Sequence, residues 1–295
     1  MRHCSMILFS LMISVSGNLP VHAQPTVPAI TEQAKSQFEV RRVEMKSHAQ
    51  HAYRIFIARP RQPAPDGGYP ILYMLDGNAQ FPVAVNSYDA KNGPPPLIVA
   101  IGYPTEKPYD VPARTRDYTP PTTISDPDFA AGGEAETFYQ FLQTTVKPWI
   151  EAHYAVNTQK QTLAGHSFGG LFTLYTLFNH TPSFQHYVAA SPSIWWGNGV
   201  VIPDRTPLLP TPPLSITITV GANEAAITIT PSNTPIDEKQ AERLRQRKMV
   251  ERAKTLATQL KEQGANTEFI VFPGKGHGDV IPDAIGKAVA IAGRE

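Results

Sequence analysis

Thr162-Leu163-Ala164-Gly165-His166-Ser167-Phe168-Gly169-Gly170-Leu171 decides how the rest of this 295-residue chain is read. The apolar residues leading into it suit the end of a strand. The run leaving it, Leu171-Phe172-Thr173-Leu174-Tyr175-Thr176-Leu177-Phe178, suits a helix buried on most sides. Between them, Gly165-His166-Ser167-Phe168-Gly169 matches G-x-S-x-G. In a strand–turn–helix setting, that spacing lifts a serine onto a sharp, strained turn where a base reaches its hydroxyl. Glycines two before and two after the serine are expected to let crowded backbones pass. The helix beginning there aims N–H groups at negative charge. The N–H of Phe168 is expected to supply half of an oxyanion hole.

Composition bounds what such a serine serves. Apolar residues make up 41% of the chain, enough for one large core, and the net charge is +1 with no basic block. Neither nucleic acid nor an anionic membrane surface is an expected partner. Met1-Arg2-His3 is a short basic start, Met6 to Val15 is an apolar run, and Val21-His22-Ala23 has small residues where signal peptidase reads them. Residues 1–23 are expected to be a signal peptide cut after Ala23, placing the mature protein in the periplasm or outside the cell. The apolar run is too short to span a bilayer, so no membrane span is expected in the mature protein. The one cysteine, Cys4, falls in that segment. Disulfides, thiol catalysis and cysteine–zinc sites are thereby excluded. The nine histidines lie far apart without ligand spacing, and no phosphate loop or dinucleotide fingerprint occurs. No metal and no cofactor are expected.

In chain order, residues 24–36 read as a loose segment and 37–295 as one domain. Phe38 to Met45 and Tyr53 to Ala58 alternate and are expected to pair, with Ser47 to His51 as the turn. Tyr69 to Leu75 and Pro96 to Gly102 are nearly continuous apolar runs, as for parallel strands buried on both faces. Tyr103 to Gly133 has no periodicity and reads as a long functional loop. Glu134 to Tyr154 is a helix that Pro148 should kink. His186 to Ala190, Leu214 to Val220 and Thr267 to Phe272 are further strands. Asp237 to Gln263 reads as one long amphipathic helix, with Met249, Ala253, Leu256, Ala257 and Leu260 buried and Gly264 at its end. A final helix runs to Ala292. The alternation of strands and helices predicts an α/β-hydrolase fold, a mostly parallel sheet with helices on both faces.

The serine needs a base, and His277 is the histidine in the right place, in the loop Pro273-Gly274-Lys275-Gly276-His277-Gly278-Asp279 after the last strand. The side chain of His166 is expected to point away from that of Ser167. The acid that would orient His277 is assigned to Glu224, just after the strand preceding the long helix. Asp237, Glu238 and Glu251 are rivals, and a serine–histidine pair with no acid is an alternative. Asp76-Gly77-Asn78 follows a central strand, and the second oxyanion N–H is assigned to Asn78 or Gly77. Arg114 and Arg116 place cations near the expected mouth; pairing with Asp117 or another carboxylate is the plainer reading. Trp195 and Trp196 follow a strand at the same end, where one of them would line a substrate pocket.

Gly165 to Gly170, Leu75-Asp76-Gly77, Ala190-Ser191-Pro192-Ser193-Ile194-Trp195-Trp196 and Gly276-His277-Gly278 together resemble the esterase D-like α/β-hydrolases. Within that group they are most similar to the secreted siderophore esterases of the enterobactin and salmochelin type, over roughly residues 36–292. The resemblance implies hydrolysis of carboxylic esters, in the best-known members the trilactone of a catecholate siderophore. Such a trianionic iron complex would give Arg114 and Arg116 a purpose, and Trp195 would stack on its catechol rings. It also implies that a serine–histidine dyad can suffice. A general carboxylesterase or thioesterase, an acyltransferase admitting an alcohol, and a binding protein that keeps only the fold are the alternatives.

Overall fold

A computed structural model describes residues 27–225 and 238–294. The expected signal peptide, Cys4 and the rival acid Asp237 lie outside the described residues. One sheet of eight strands organises the chain: β1 (Phe38–Lys46), β2 (Ala52–Pro60), β3 (Tyr69–Met74), β4 (Leu97–Gly102), β5 (Val156–His166), β6 (His186–Ala190), β7 (Ser215–Gly221) and β8 (Thr267–Phe272). Their spatial order is β1-β2-β4-β3-β5-β6-β7-β8. Only the β1–β2 and β2–β4 pairings are antiparallel; the others are parallel. This is the expected α/β-hydrolase architecture.

Side-chain alternation splits the core into two layers. Ile71, Tyr73 and Leu75 join Leu97, Val99 and Ile101 on one face, under α3 (Val111–Tyr118), α4 (Ala135–Phe141), α5 (Lys147–His153), α6 (Phe168–Asn179) and α8 (Met249–Glu262). Leu72, Met74, Ile98 and Ala100 face the other way, under α2 (Gly77–Asn86) and α9 (Ile281–Ala292). β3 and β4 show no exposed residue, because both faces are covered.

The chain leaves β3 for β4 on one side, and β5 lies on the other side of β3. At this reversal α2 and α6 begin just beyond the carboxyl ends of β3 and β5, the position where such folds bind ligands in a crevice.

Four expectations need correction. Residues 31–37 are not loose: Thr31 caps a short helix, α1 (Glu32–Gln37), by accepting from the Ala34 N–H at 3.1 Å. The stretch from Tyr103 to Gly133 contains α3, capped by Asp110, whose carboxylate accepts from Ala113 N–H at 3.1 Å, with Pro112 in its first turn. An N-cap aspartate followed by proline was the signal for it. The helix expected from Glu134 to Tyr154 is not continuous α-helix: a π-helical turn over Leu142–Val146 separates α4 from α5 just before Pro148, where the ladder lacks an N–H. The long helix is two helices, α7 (Glu238–Gln246) and α8, separated where Lys248 takes a left-handed conformation with φ 45°. Met249 is accordingly only partly buried, whereas Ala253, Leu256, Ala257 and Leu260 are buried as expected.

Candidate active site

Ser167 follows directly on β5 and precedes α6, with φ 62° and ψ −118°. That is a costly conformation for a residue with a side chain, and it persists because the surroundings hold it. The Ser167 N–H donates to Ala190 O at 3.0 Å, and the Ser193 N–H donates to Ser167 O at 3.1 Å. The turn is tight: a Cβ on Gly165 would lie 2.4 Å from the Gly169 carbonyl carbon, and one on Gly170 2.7 Å from Ala190 O. A Cβ on Gly169 would make ordinary contacts, with Leu75 at 3.4 Å and Asp76 Oδ2 at 3.5 Å. The crowding therefore falls on Gly165 and Gly170, one residue later than the G-x-S-x-G pattern suggests.

The Ser167 hydroxyl lies 3.4 Å from the Ser193 hydroxyl and makes no hydrogen bond to His277. His277 nevertheless sits beside the turn, its ring centroid 4.5 Å from that of His166, the residue before the serine. The His277 side chain is 46% exposed. His166 is buried, and burial first, then the neighbouring His277, pushes its imidazole well below the usual histidine range. It is neutral at physiological pH and packs behind His277.

Glu224 stands in a turn after β7. Its Oε2 lies 2.7 Å from His277 Nδ1, and its side chain is 2% exposed. Its Oε1 accepts from Ser191 Oγ at 2.6 Å and from Gly221 N–H at 2.7 Å. Burial raises the carboxyl pKa, but donation from His277, Ser191 and Gly221 outweighs it, so the pKa falls below the usual value. An ionised carboxylate can only accept, so the proton on Nδ1 points at Glu224 and Nε2 is left with a free lone pair. The same turn is tied to the His277 loop: the Asn223 N–H donates to Lys275 O at 3.0 Å and its Nδ2 to Gly274 O at 3.0 Å. Of the rivals, Glu251 pairs with Lys248 and Glu238 with Arg245 on the exposed face.

Phe168 is the first residue of α6, and Gly77 and Asn78 are the first two of α2. First-turn N–H groups have no acceptor within their own helix, so both helices present free donors to the crevice. The Asn78 side chain is not one of them. It donates through Nδ2 to Tyr103 O at 2.9 Å and Thr105 O at 2.8 Å, and its Oδ1 accepts from Tyr103 N–H at 2.8 Å.

The structure does not leave Arg114 or Arg116 free at the mouth. Arg114 is buried and forks onto Asp76, Nε to Oδ1 at 2.7 Å and Nη2 to Oδ2 at 2.9 Å. Its guanidinium carbon lies 5.4 Å from the Phe168 ring centre. Arg116 forks in the same way onto Asp117, at 2.7 and 3.0 Å. Two carboxylates buried beside the crevice need cations, and a guanidinium satisfies both oxygens at once. Trp195 is partly exposed and close to Phe168 and Phe129, with centroids 5.8 and 6.0 Å away. Trp196 is buried, its Nε1 donating to Pro120 O at 3.0 Å. The sequence reading missed Arg247, whose guanidinium covers the Trp195 ring at 4.1 Å and pairs with Asp128 at 2.9 Å. Nothing in its polar stretch distinguishes it from the arginines around it.

Among the described residues no group of histidine, cysteine, aspartate and glutamate is arranged to hold a metal, and no helix is long and apolar enough to cross a membrane.

A family model described as "Putative esterase" matches residues 47–279. The ferri-bacillibactin esterase BesA of Bacillus subtilis is 33% identical over 271 residues, covering 86% of this chain and 89% of that protein. The apo-salmochelin esterase of Escherichia coli is 33% identical over 77% of this chain and 70% of its own length. The crystal structure of the BES protein from Bacillus cereus superimposes with a TM-score of 0.71 at 28% identity, over 94% of this chain and 100% of that one. The chain belongs to the esterase family described by that model, within the α/β-hydrolase fold, and is a hydrolase acting on ester bonds.

Proposed function

We propose that this protein is an exported serine esterase that opens the trilactone of a catecholate siderophore. Ser167 is the nucleophile, His277 the base and Glu224 the acid. The observation that carries the mechanism is the Glu224–His277 pair beside the strained Ser167 turn. His277 Nε2 takes the Ser167 proton as Oγ bonds to the ester carbonyl carbon. The N–H of Phe168 and that of Asn78 or Gly77 hold the oxyanion. As the intermediate collapses, His277 passes the proton to the departing alkoxide, and the acyl group stays on Ser167. Water attacks next, giving its proton to His277, and the acid leaves as Ser167 recovers its hydrogen. Glu224 carries no proton in this cycle; it holds the Nδ1 tautomer and balances the transient imidazolium.

The substrate rests on the relatives, which are named as esterases of ferri-bacillibactin and apo-salmochelin. Trp195 is the platform for an aromatic ring of the substrate. Arg114 serves the site through Asp76, at the start of α2, and Arg116 through Asp117. Their pairing removes the charge argument for a trianionic substrate and favours, as a second reading, a general carboxylesterase. Export follows from residues 1–23, with residues 37–295 as one domain acting on a small-molecule ester and not on nucleic acid.

Product analysis by mass spectrometry separates the two readings, using ferric enterobactin and a short-chain nitrophenyl ester with wild type and Ser167→Ala. Opening of the trilactone by the wild type alone is expected. Serine-dependent turnover of the nitrophenyl ester with the trilactone intact selects the carboxylesterase. Equal turnover of either compound by Ser167→Ala sinks the nucleophile.

A further inference from the structure

Ser191 makes a bond that the reaction scheme above does not use. It is completely buried, immediately after β6, in a left-handed conformation with φ 41°. That conformation is costly for a residue with a Cβ, and glycine would adopt it freely. The Ser191 N–H donates to Thr219 O at 2.7 Å, which seats the residue against β7. Its hydroxyl donates at 2.6 Å to Glu224 Oε1, the oxygen turned away from His277. Gly221 N–H occupies the other acceptor direction of that oxygen at 2.7 Å. The two donors fill Oε1 and direct Oε2 to the histidine.

We propose that Ser191 is a positioning residue for ester hydrolysis: through Glu224 Oε1 it fixes the orientation and the ionised state of the carboxylate that aligns His277. This rests on the assignment of Glu224 as the acid. A buried carboxylate with one partner would turn about its side-chain bonds or take up a proton; one with three charge-assisted donors does neither. The groups facing Glu224 among the described residues are His277 from the loop after β8, Ser191 from the loop after β6 and the Gly221 N–H from β7. His166 stands behind His277, and no charged side chain of α8 forms an ion pair with Glu224.

The test is a cycle of Ser191→Ala, Ser191→Gly, Glu224→Gln and the Ser191→Ala/Glu224→Gln double variant. Each is assayed from pH 5.5 to 8.5 on an ester that the wild type turns over. Ser191→Ala is expected to lower kcat about tenfold at pH 7.5, the scale of one hydrogen bond to a charged group, with KM unchanged. Its deficit should grow as pH falls, because the carboxyl then takes up its proton at higher pH. Ser191→Gly relieves the backbone strain but lacks the hydroxyl, so it should be as impaired as Ser191→Ala and at least as heat-stable. The double variant should be no slower than Glu224→Gln. Wild-type kcat and pH profile in Ser191→Gly, beside an impaired Glu224→Gln, would reduce Ser191 to packing and overturn the proposal alone. Additive losses in the double variant would show that Ser191 does not act through Glu224. A fully active Glu224→Gln would remove the acid assignment, and this proposal with it, while leaving Ser167 and His277 untouched.

Discussion

At the scale of single residues, the site is built from conformations and pairings that cost stability locally. Ser167, Asp76 and Ser191 all hold positive φ without being glycine, and all three lie within two residues past the carboxyl end of a strand, β5, β3 and β6 respectively. The glycines around Ser167 differ in what they must avoid. Gly165→Ala would drive a Cβ into the Gly169 backbone, which cannot step aside. It should cost about 3 kcal/mol or more, at the upper end of overpacking, and abolish activity. Gly169→Ala lies in a helix, where its Cβ would make only ordinary contacts with Leu75 and Asp76, and should be nearly neutral or slightly stabilising. Urea unfolding of both variants checks this, and equal losses would contradict it. The Asp76–Arg114 pair gives a second expectation. Arg114→Met leaves the buried Asp76 carboxylate without its cation and should destabilise by about 3–5 kcal/mol. Adding Asp76→Leu should return part of that loss, measured in the same unfolding experiment, because the uncompensated charge is then gone.

At the scale of elements, the site is closed by pieces that the sheet does not carry. Asp126 to Phe129 lies against α7: Arg243 pairs with Asp128 at 3.0 Å, and Arg247 with the same carboxylate at 2.9 Å. Phe129 meets the Phe168 ring edge-on at 4.8 Å, with Trp195 alongside. The break at Lys248 lets Arg243 of α7 and Arg247 just after it reach this segment while α8 buries its apolar stripe on the sheet. Trp195→Ala should therefore raise KM for esters with an aromatic acyl group several-fold more than for an acetyl ester, with kcat for the acetyl ester kept. Parallel steady-state assays on the two substrates decide it, and equal changes would remove Trp195 from the substrate pocket. The strands and the helices α6, α8 and α9 were legible because their apolar periodicity is strong. The helices α3 and α7 were not resolved as separate elements, because polar segments signal their ends only through caps and backbone reversals. The Asp110 cap can be read from the chain; a left-handed lysine at 248 cannot.

At the scale of the whole molecule, one sheet carries both cores. If residues 37–295 are one domain, thermal unfolding should show a single calorimetric transition with equal calorimetric and van't Hoff enthalpies. Two resolved transitions would divide it. If residues 1–23 are removed on export, the intact mass of protein recovered from the periplasm or medium should match a chain beginning at Gln24. A mass retaining Met1 to Ala23 would reject the signal peptide.

Local sequence was enough for the strand–turn–helix around Ser167, for the order of the strands along the chain, and for Ser167 and His277 as the pair to assign. Those features depend on local periodicity and on glycines that backbone sterics demand. It assigned the acid to Glu224 but with Asp237, Glu238, Glu251 or a serine–histidine dyad still open, and it left Arg114 and Arg116 as candidates for the mouth. Tertiary structure alone decided that Glu224 meets His277 and Ser191, and that the two arginines turn inward to Asp76 and Asp117. The reason is that a charge takes its partner from whatever the fold brings within about 3 Å. Glu224 and His277 are 53 positions apart in the chain, and only the parallel β7–β8 pairing brings their loops together.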